Sequence, residues 1–192
     1  MDVTPYLNRT HLTFFIDTNI IGDRDEPVVT LVRLRTEGWI NLQRTDTVDT
    51  ELAKARREIR AKLTEESAQY PESYGPLVLD HSRTDTSVLG DEEDTRRLQK
   101  IFSIMRPGAS WEKVRENHIR DAMHVSTAIR YGGDGFVTKD TGILRSEHLI
   151  AAEFGFRIYH PQQALEEAFS RVSNMRELHR REPDRGQLPP WP

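Results

Sequence analysis

A chain of 192 residues with 27 Lys and Arg, 31 Asp and Glu and a formal net charge of −4 has the length of about one domain and is charged without being disordered in composition. It has no cysteine, which excludes disulfide frameworks, thiolate zinc sites and thiol chemistry. The negative balance argues against coating nucleic acid by bulk positive charge, yet it is compatible with a nuclease whose acids hold metal and whose basic residues hold phosphates.

Met1 to Asn8 has neither the basic start nor the long apolar stretch of a signal peptide, and no apolar run approaches a membrane span. The expected location is cytoplasmic, with no membrane contact. Leu12 to Ile16 then reads as a strand buried on both faces that stops on Asp17, with Thr18 and Asn19 following. In open parallel α/β sheets ligands bind outside the carboxyl ends of the strands, so an acid there is placed for chemistry. Capping of the next turn is the alternative for Asp17.

Asp25-Glu26-Pro27 signals a helix start, and Val28, Val29, Leu31, Val32 and Leu34 give it an apolar face up to Gly38. Trp39 to Val48 reads as a second strand that turns polar towards its end. Asp49 or Thr50 caps an expected long helix from Glu51 through Leu52, Ala55, Ile59 and Leu63. That puts Glu51 in a first turn, where the helix dipole alone would favour it. The same helix carries Lys54, Arg56, Arg57, Arg60 and Lys62, either a solvated face or a set of phosphate contacts beside Glu51.

Ser67 to Gly75 reads as a loop, and Leu77, Val78 and Leu79 as a short third strand ending at Asp80. Thr84 to Asp94 is acidic, either a surface loop or a segment that orders on a partner. Thr95 to Met105 is a helix ended by Pro107-Gly108, and Trp111 to Gly133 a second one. On the latter, Asp121 shares a stripe with Val125 and Ala128. A carboxylate on so apolar a helix is costly unless paired or coordinated. A helix starting at Asn117 would instead make Asp121 a first-turn acid.

Phe136-Val137-Thr138-Lys139-Asp140 repeats the arrangement at Asp17, an apolar strand ending on a hydroxyl and an acid. Ile143 to Phe154 follows as a helix and Phe156 to His160 as the last strand. Pro161 then opens a helix whose pattern weakens past Asn174. Residues 1–173 are expected to form one domain containing a long 67–110 segment, and 174–192 a mobile tail. The histidines show no paired ligand spacing, and His124 reads as a packing or orienting group.

Asp17, Glu51, Asp121 and Asp140 are four carboxylates without thiol or imidazole ligands, a set that suits Mg²⁺ or Mn²⁺. Gathered at one site they would repel, and a divalent cation removes that cost. The motifs Phe15-Ile16-Asp17-Thr18-Asn19, Glu51-Leu52 after a strand, Arg120-Asp121-Ala122-Met123-His124 through Ala128, and Phe136 to Asp140 resemble those of the PIN domain family. These are metal-dependent ribonucleases, including the toxin component of bacterial toxin–antitoxin pairs. The resemblance implies a three-layer α/β/α fold on a central parallel five-stranded sheet, with the four acids as metal ligands and Asn19 and Thr138 supporting them. It implies RNA as substrate, cut to a 5′-phosphate and a 3′-hydroxyl, with Lys54 and Arg57 as candidate RNA contacts. It also allows a homodimer and an antitoxin-like protein partner, although the 67–110 segment and the tail depart from the compact toxin members.

Two other readings compete. A non-catalytic PIN-like module would bind RNA or protein without cutting. A haloacid dehalogenase-like phosphatase would use Asp17 as nucleophile, but that chemistry wants Asp-x-Asp, and Asn19 stands where the second acid belongs.

Overall fold

Phe14 and Ile16 of the first strand, β1 (Thr13–Ile16), point into one hydrophobic core while Phe15 between them points into another. A strand buried on both faces needs helices above and below it, the normal condition of a parallel sheet. The computed structural model describes residues 10–79, 81–82 and 87–190. Among these, β1 lies at the centre of a five-stranded sheet with β2 (Asn41–Thr45), β3 (Glu72–Ser73), β4 (Gly135–Val137) and β5 (Arg157–Tyr159) in the order β3-β2-β1-β4-β5. Every pairing is parallel. The fold is α/β with helices on both faces, as the alternation of apolar strands and amphipathic helices predicts.

One face is covered by α1 (Glu26–Thr36) and α8 (Pro161–Arg181), whose Val28, Leu31, Leu34, Ala164, Leu165, Ala168 and Val172 pack on Phe14, Ile16 and Val137. The other is covered by α4 (Glu92–Met105), α5 (Glu116–Arg130) and α7 (Glu147–Phe154), through Ile101, Phe102, Ile119, Met123 and Ile150 against Phe15, Phe136 and Ile158. The small buried side chains of Ala122, Val125 and Ala128 let α5 lie close on the sheet. By the period of two along β1, Asp17 follows Phe15 towards the α5 side.

Several sequence boundaries differ. The spacing from Glu51 to Leu63 predicts one helix, but the chain forms α2 (Thr47–Leu52) and α3 (Arg57–Ser67), separated at Arg56, whose ψ of 140° is extended. Glu51 therefore sits in the last turn of α2, not the first turn of a long helix. The third strand is β3, inside the stretch read as a loop. Its two residues are too short for an alternating pattern, and it is held by Arg44, which reaches Asp49 at 2.6 Å and Glu72 at 3.1 Å. Leu77 and Leu79 are exposed, Leu79 by 78 %, and only Val78 between them packs against the second core cluster, so the apolar run there forms no strand. Asp80 lies outside the described residues, as do residues 83–86 of the acidic segment.

The end of that segment is the start of α4, where Asp91 and Asp94 cap the helix reciprocally. The helix expected over Ile143 to Phe154 is two, α6 (Thr141–Leu144) and α7. Helix α8 runs past Asn174 to Arg181, and the chain beyond it returns to the core. Leu188 packs beside the first cluster, and Trp39 Nε1 donates to the Pro190 carbonyl at 3.0 Å. No helix among the described residues is long and apolar enough to cross a membrane.

Candidate active site

The strand order reverses at β1, because the chain leaves β1 towards β2 on one side while β4 and β5 lie on the other. Such a switch point opens a crevice at the carboxyl ends of the strands. Here that crevice, about 410 Å³ in volume, is lined by Asp17, Thr18, Asn19, Glu51, Arg106, Asn117, His118, Asp121 and Asp140. All four expected acids and Asn19 thus face one cavity, delivered by the ends of β1 and β4, the short α2 and the second turn of α5.

Asp17 is 6 % exposed, and its Oδ2 accepts from Asn19 Nδ2 at 2.7 Å and from Thr138 Oγ1 at 2.5 Å. Asn19 Nδ2 also donates to Thr138 Oγ1 at 3.1 Å, and its Oδ1 accepts from the Lys139 amide at 3.1 Å, tying the ends of β1 and β4 together. Glu51 turns inward. Its Oε2 accepts a hydrogen bond from Thr18 Oγ1 and lies 3.4 Å from His124 Nε2. His124, 1 % exposed, bonds through Nδ1 to Thr45 Oγ1 at 2.6 Å, while Nε2 has no aligned hydrogen-bond partner. One ligand atom each from Asp17, Glu51 and His124 lie within 4.8 Å of one another.

Asp121 Oδ2 accepts from Arg106 Nη2 at 2.9 Å. Asp140 is exposed and caps α6, its Oδ1 accepting from the amides of Gly142 at 2.6 Å and Ile143 at 3.1 Å. The capping role therefore holds for one Asp140 oxygen, even as the residue lines the crevice. For Asp17 it does not hold: its side chain makes no cap to the 3₁₀ turn that follows. Helix α5 begins at Glu116, which puts Asp121 beyond the first turn, where the dipole gives little. Glu51, near the carboxyl end of α2, is at the end where the dipole disfavours an acid.

The electrostatics follow from burial and crowding. Burial pushes the Asp121 carboxyl up to about 7, and Asp140 and Asp17 add to this, while Arg106 and His124 pull down without offsetting it. Burial also raises Asp17, opposed by His124 and Thr138. Burial alone would raise Glu51, but His124, Thr18 and Arg120 outweigh it and hold the carboxyl below its usual range. For His124, burial lowers the imidazole and the surrounding Glu51, Asp17 and Asp121 more than restore it, so the net shift is upward. Behind the site Asp46 is buried too, accepting from the Gly75 amide at 3.0 Å.

The two basic residues taken as RNA contacts stand outside the cavity. Lys54 is ion-paired with Glu116, itself 2.6 Å from the buried Arg120, and Arg57 is exposed at the start of α3. Thr18, Arg106, Asn117 and His118 are lining residues that sequence reasoning missed, and His124 stands closer to the acids than a packing role requires. Thr18 had a signal, being the hydroxyl next to the strand-terminal acid. Arg106 had none, since nothing in the sequence near Pro107 points it at Asp121.

The arrangement defines a class: an open parallel α/β sheet with an acidic crevice at its switch point. No protein-family model matches the chain, and no curated protein matches it significantly.

Proposed function

We propose that this chain is a PIN-type endoribonuclease that depends on Mg²⁺ or Mn²⁺. The observation that carries the reading is the convergence of Asp17, Glu51, Asp121 and Asp140, from four separate elements, on one crevice. The donor set fits a divalent cation. Oxygen ligands predominate, and burial, with Asp140 and Asp17 nearby, drives Asp121 up to about 7 against the opposing pull of Arg106 and His124. Asp17 and Glu51 would hold the cation, with Asp121 and the free oxygen of Asp140 completing the set.

Bound there, the cation would supply charge stabilisation at the phosphate and a lowered pKa for water. The protein's part is positional. Asn19 and Thr138 fix the rotamer of Asp17, and Thr18 and His124 fix that of Glu51. In the overall reaction water adds to phosphorus and the bond to the 3′-oxygen breaks, leaving a 5′-phosphate and a 3′-hydroxyl. Lys54 and Arg57 would meet the RNA backbone at the rim. The Lys54–Glu116 pair is half exposed, so exchanging it for a phosphate costs little.

The non-cutting module is favoured by one observation: the Arg106–Asp121 ion pair already provides a cation in the crevice. Calorimetric titration with Mn²⁺, joined to analysis of RNA product ends, separates the two. The nuclease reading expects Mn²⁺ binding that weakens roughly tenfold or more in Asp121→Asn, with products carrying 5′-phosphates. No Mn²⁺ binding and no cut RNA would favour the module.

A further inference from the structure

Arg106 lines the acidic crevice together with the four carboxylates. It ends α4 in a non-helical conformation, φ −137° and ψ 68°, immediately before Pro107, so its backbone is fixed by the helix end. Nη1 donates to the Met105 carbonyl and Nη2 to Asp121 Oδ2, both at 2.9 Å, while Nε is buried without a hydrogen-bond partner. The guanidinium also reaches the start of α6. Nη2 and Nη1 stand 3.5 and 3.7 Å from where a Cβ on Gly142 would lie, and Asp140 Oδ1 stands 2.9 Å from the same point. The fork is thus paired with Asp121 and lies near the start of α6, its side chain 19 % exposed.

We propose that Arg106 is a positioning residue for the RNA phosphate that exchanges partners, paired with Asp121 in the free protein and turned onto the phosphate when the acids take up a cation. The inference rests on the ribonuclease reading. In the free protein the guanidinium offsets part of the charge that the crowded carboxylates cannot offset themselves. A divalent cation competes with it for Asp121 and repels it, and a phosphate entering beside that cation offers two oxygens matched to the planar fork. The Met105 carbonyl and the helix end keep the guanidinium within reach while its carboxylate partner changes. Metal and RNA then bind cooperatively, because each relieves the cost of the other.

The test compares wild type, Arg106→Gln and Arg106→Lys, each checked for folding by thermal melting. Mn²⁺ is titrated calorimetrically into the RNA-free proteins, and kcat and KM are measured on a single-stranded RNA. Arg106→Gln is expected to bind Mn²⁺ roughly tenfold tighter without RNA, while its kcat/KM falls about 100-fold. Arg106→Lys keeps the charge but loses the fork, so it keeps Mn²⁺ affinity near wild type and regains only part of the activity. If Arg106→Gln does not fold, Arg106→Lys decides, and wild-type kcat/KM in that variant overturns the proposal. So does a folded Arg106→Gln that cuts like wild type, or one in which Mn²⁺ affinity and cleavage fall together, the mark of a purely structural pair. Wild type that cuts no RNA overturns the ribonuclease reading and this inference with it. Wild type that cuts while Arg106→Gln cuts equally well overturns the role of Arg106 alone.

Discussion

Under the proposed function Asp121 carries two opposing demands, since burial disfavours its charge while a bound cation would require it. Its pKa in the fold, about 7, lies above the value it would have unfolded. The stability this group contributes is therefore complete below the unfolded value and is lost as pH rises through about 7. His124, also raised, acts in the same direction. The metal-free protein should melt at a higher temperature at about pH 6 than at about pH 8, and saturating Mn²⁺ should remove the difference. Mn²⁺ affinity itself should fall as pH drops below about 7, because the cation must displace the Asp121 proton. Thermal melting and calorimetry across that range check the two. Asp17 was legible in the sequence because packing alone gives a strand buried on both faces no reason to end on an acid, whereas Asn19 and Thr138 were marked as its supports only by the motif resemblance. His124 and Thr18 were not legible as partners of Glu51, because their contacts are made across the sheet and nothing in local spacing encodes them.

At the scale of elements, the break between α2 and α3 decides what Glu51 is. In a long helix starting at Glu51, the dipole alone would account for the acid. In the last turn of α2 it cannot, and Thr18 and His124 hold the carboxylate instead. The break escaped a periodicity reading because Leu52, Ile59 and Leu63 keep helical spacing across it. Helix α4 was mostly legible, but its true start depends on the Asp91 cap and on Asp94, which accepts from the Asp91 amide at 3.1 Å and from Arg97 Nη1 at 2.8 Å and bonds Arg130 of α5. Asp94 is buried, so Asp94→Ala leaves two guanidinium groups short of a partner and loosens α4 from α5. The expected cost is about 3 to 5 kcal/mol in urea unfolding.

The whole molecule was legible as a doubly covered parallel sheet, since apolar strands alternating with amphipathic helices allow few other packings. The position of the crevice followed from that topology. What the sequence did not disclose was the return of the chain after α8 to Trp39, a contact spanning most of the length of the protein. Trp39 has no solvent exposure and lies just before β2, away from the crevice at the carboxyl ends of the strands. Truncation after Arg185 should uncover its indole, red-shift its fluorescence and cost about 1 to 2 kcal/mol, while leaving RNA cleavage unchanged. The most direct test of the central claim is the cleavage of single-stranded RNA by wild type and Asp17→Asn, with Mn²⁺ and with excess chelator. The acidic crevice predicts cutting by wild type in Mn²⁺, none in chelator, and a loss of about 1,000-fold or more in a folded Asp17→Asn. Cutting that survives the chelator, or that Asp17→Asn retains, would contradict it.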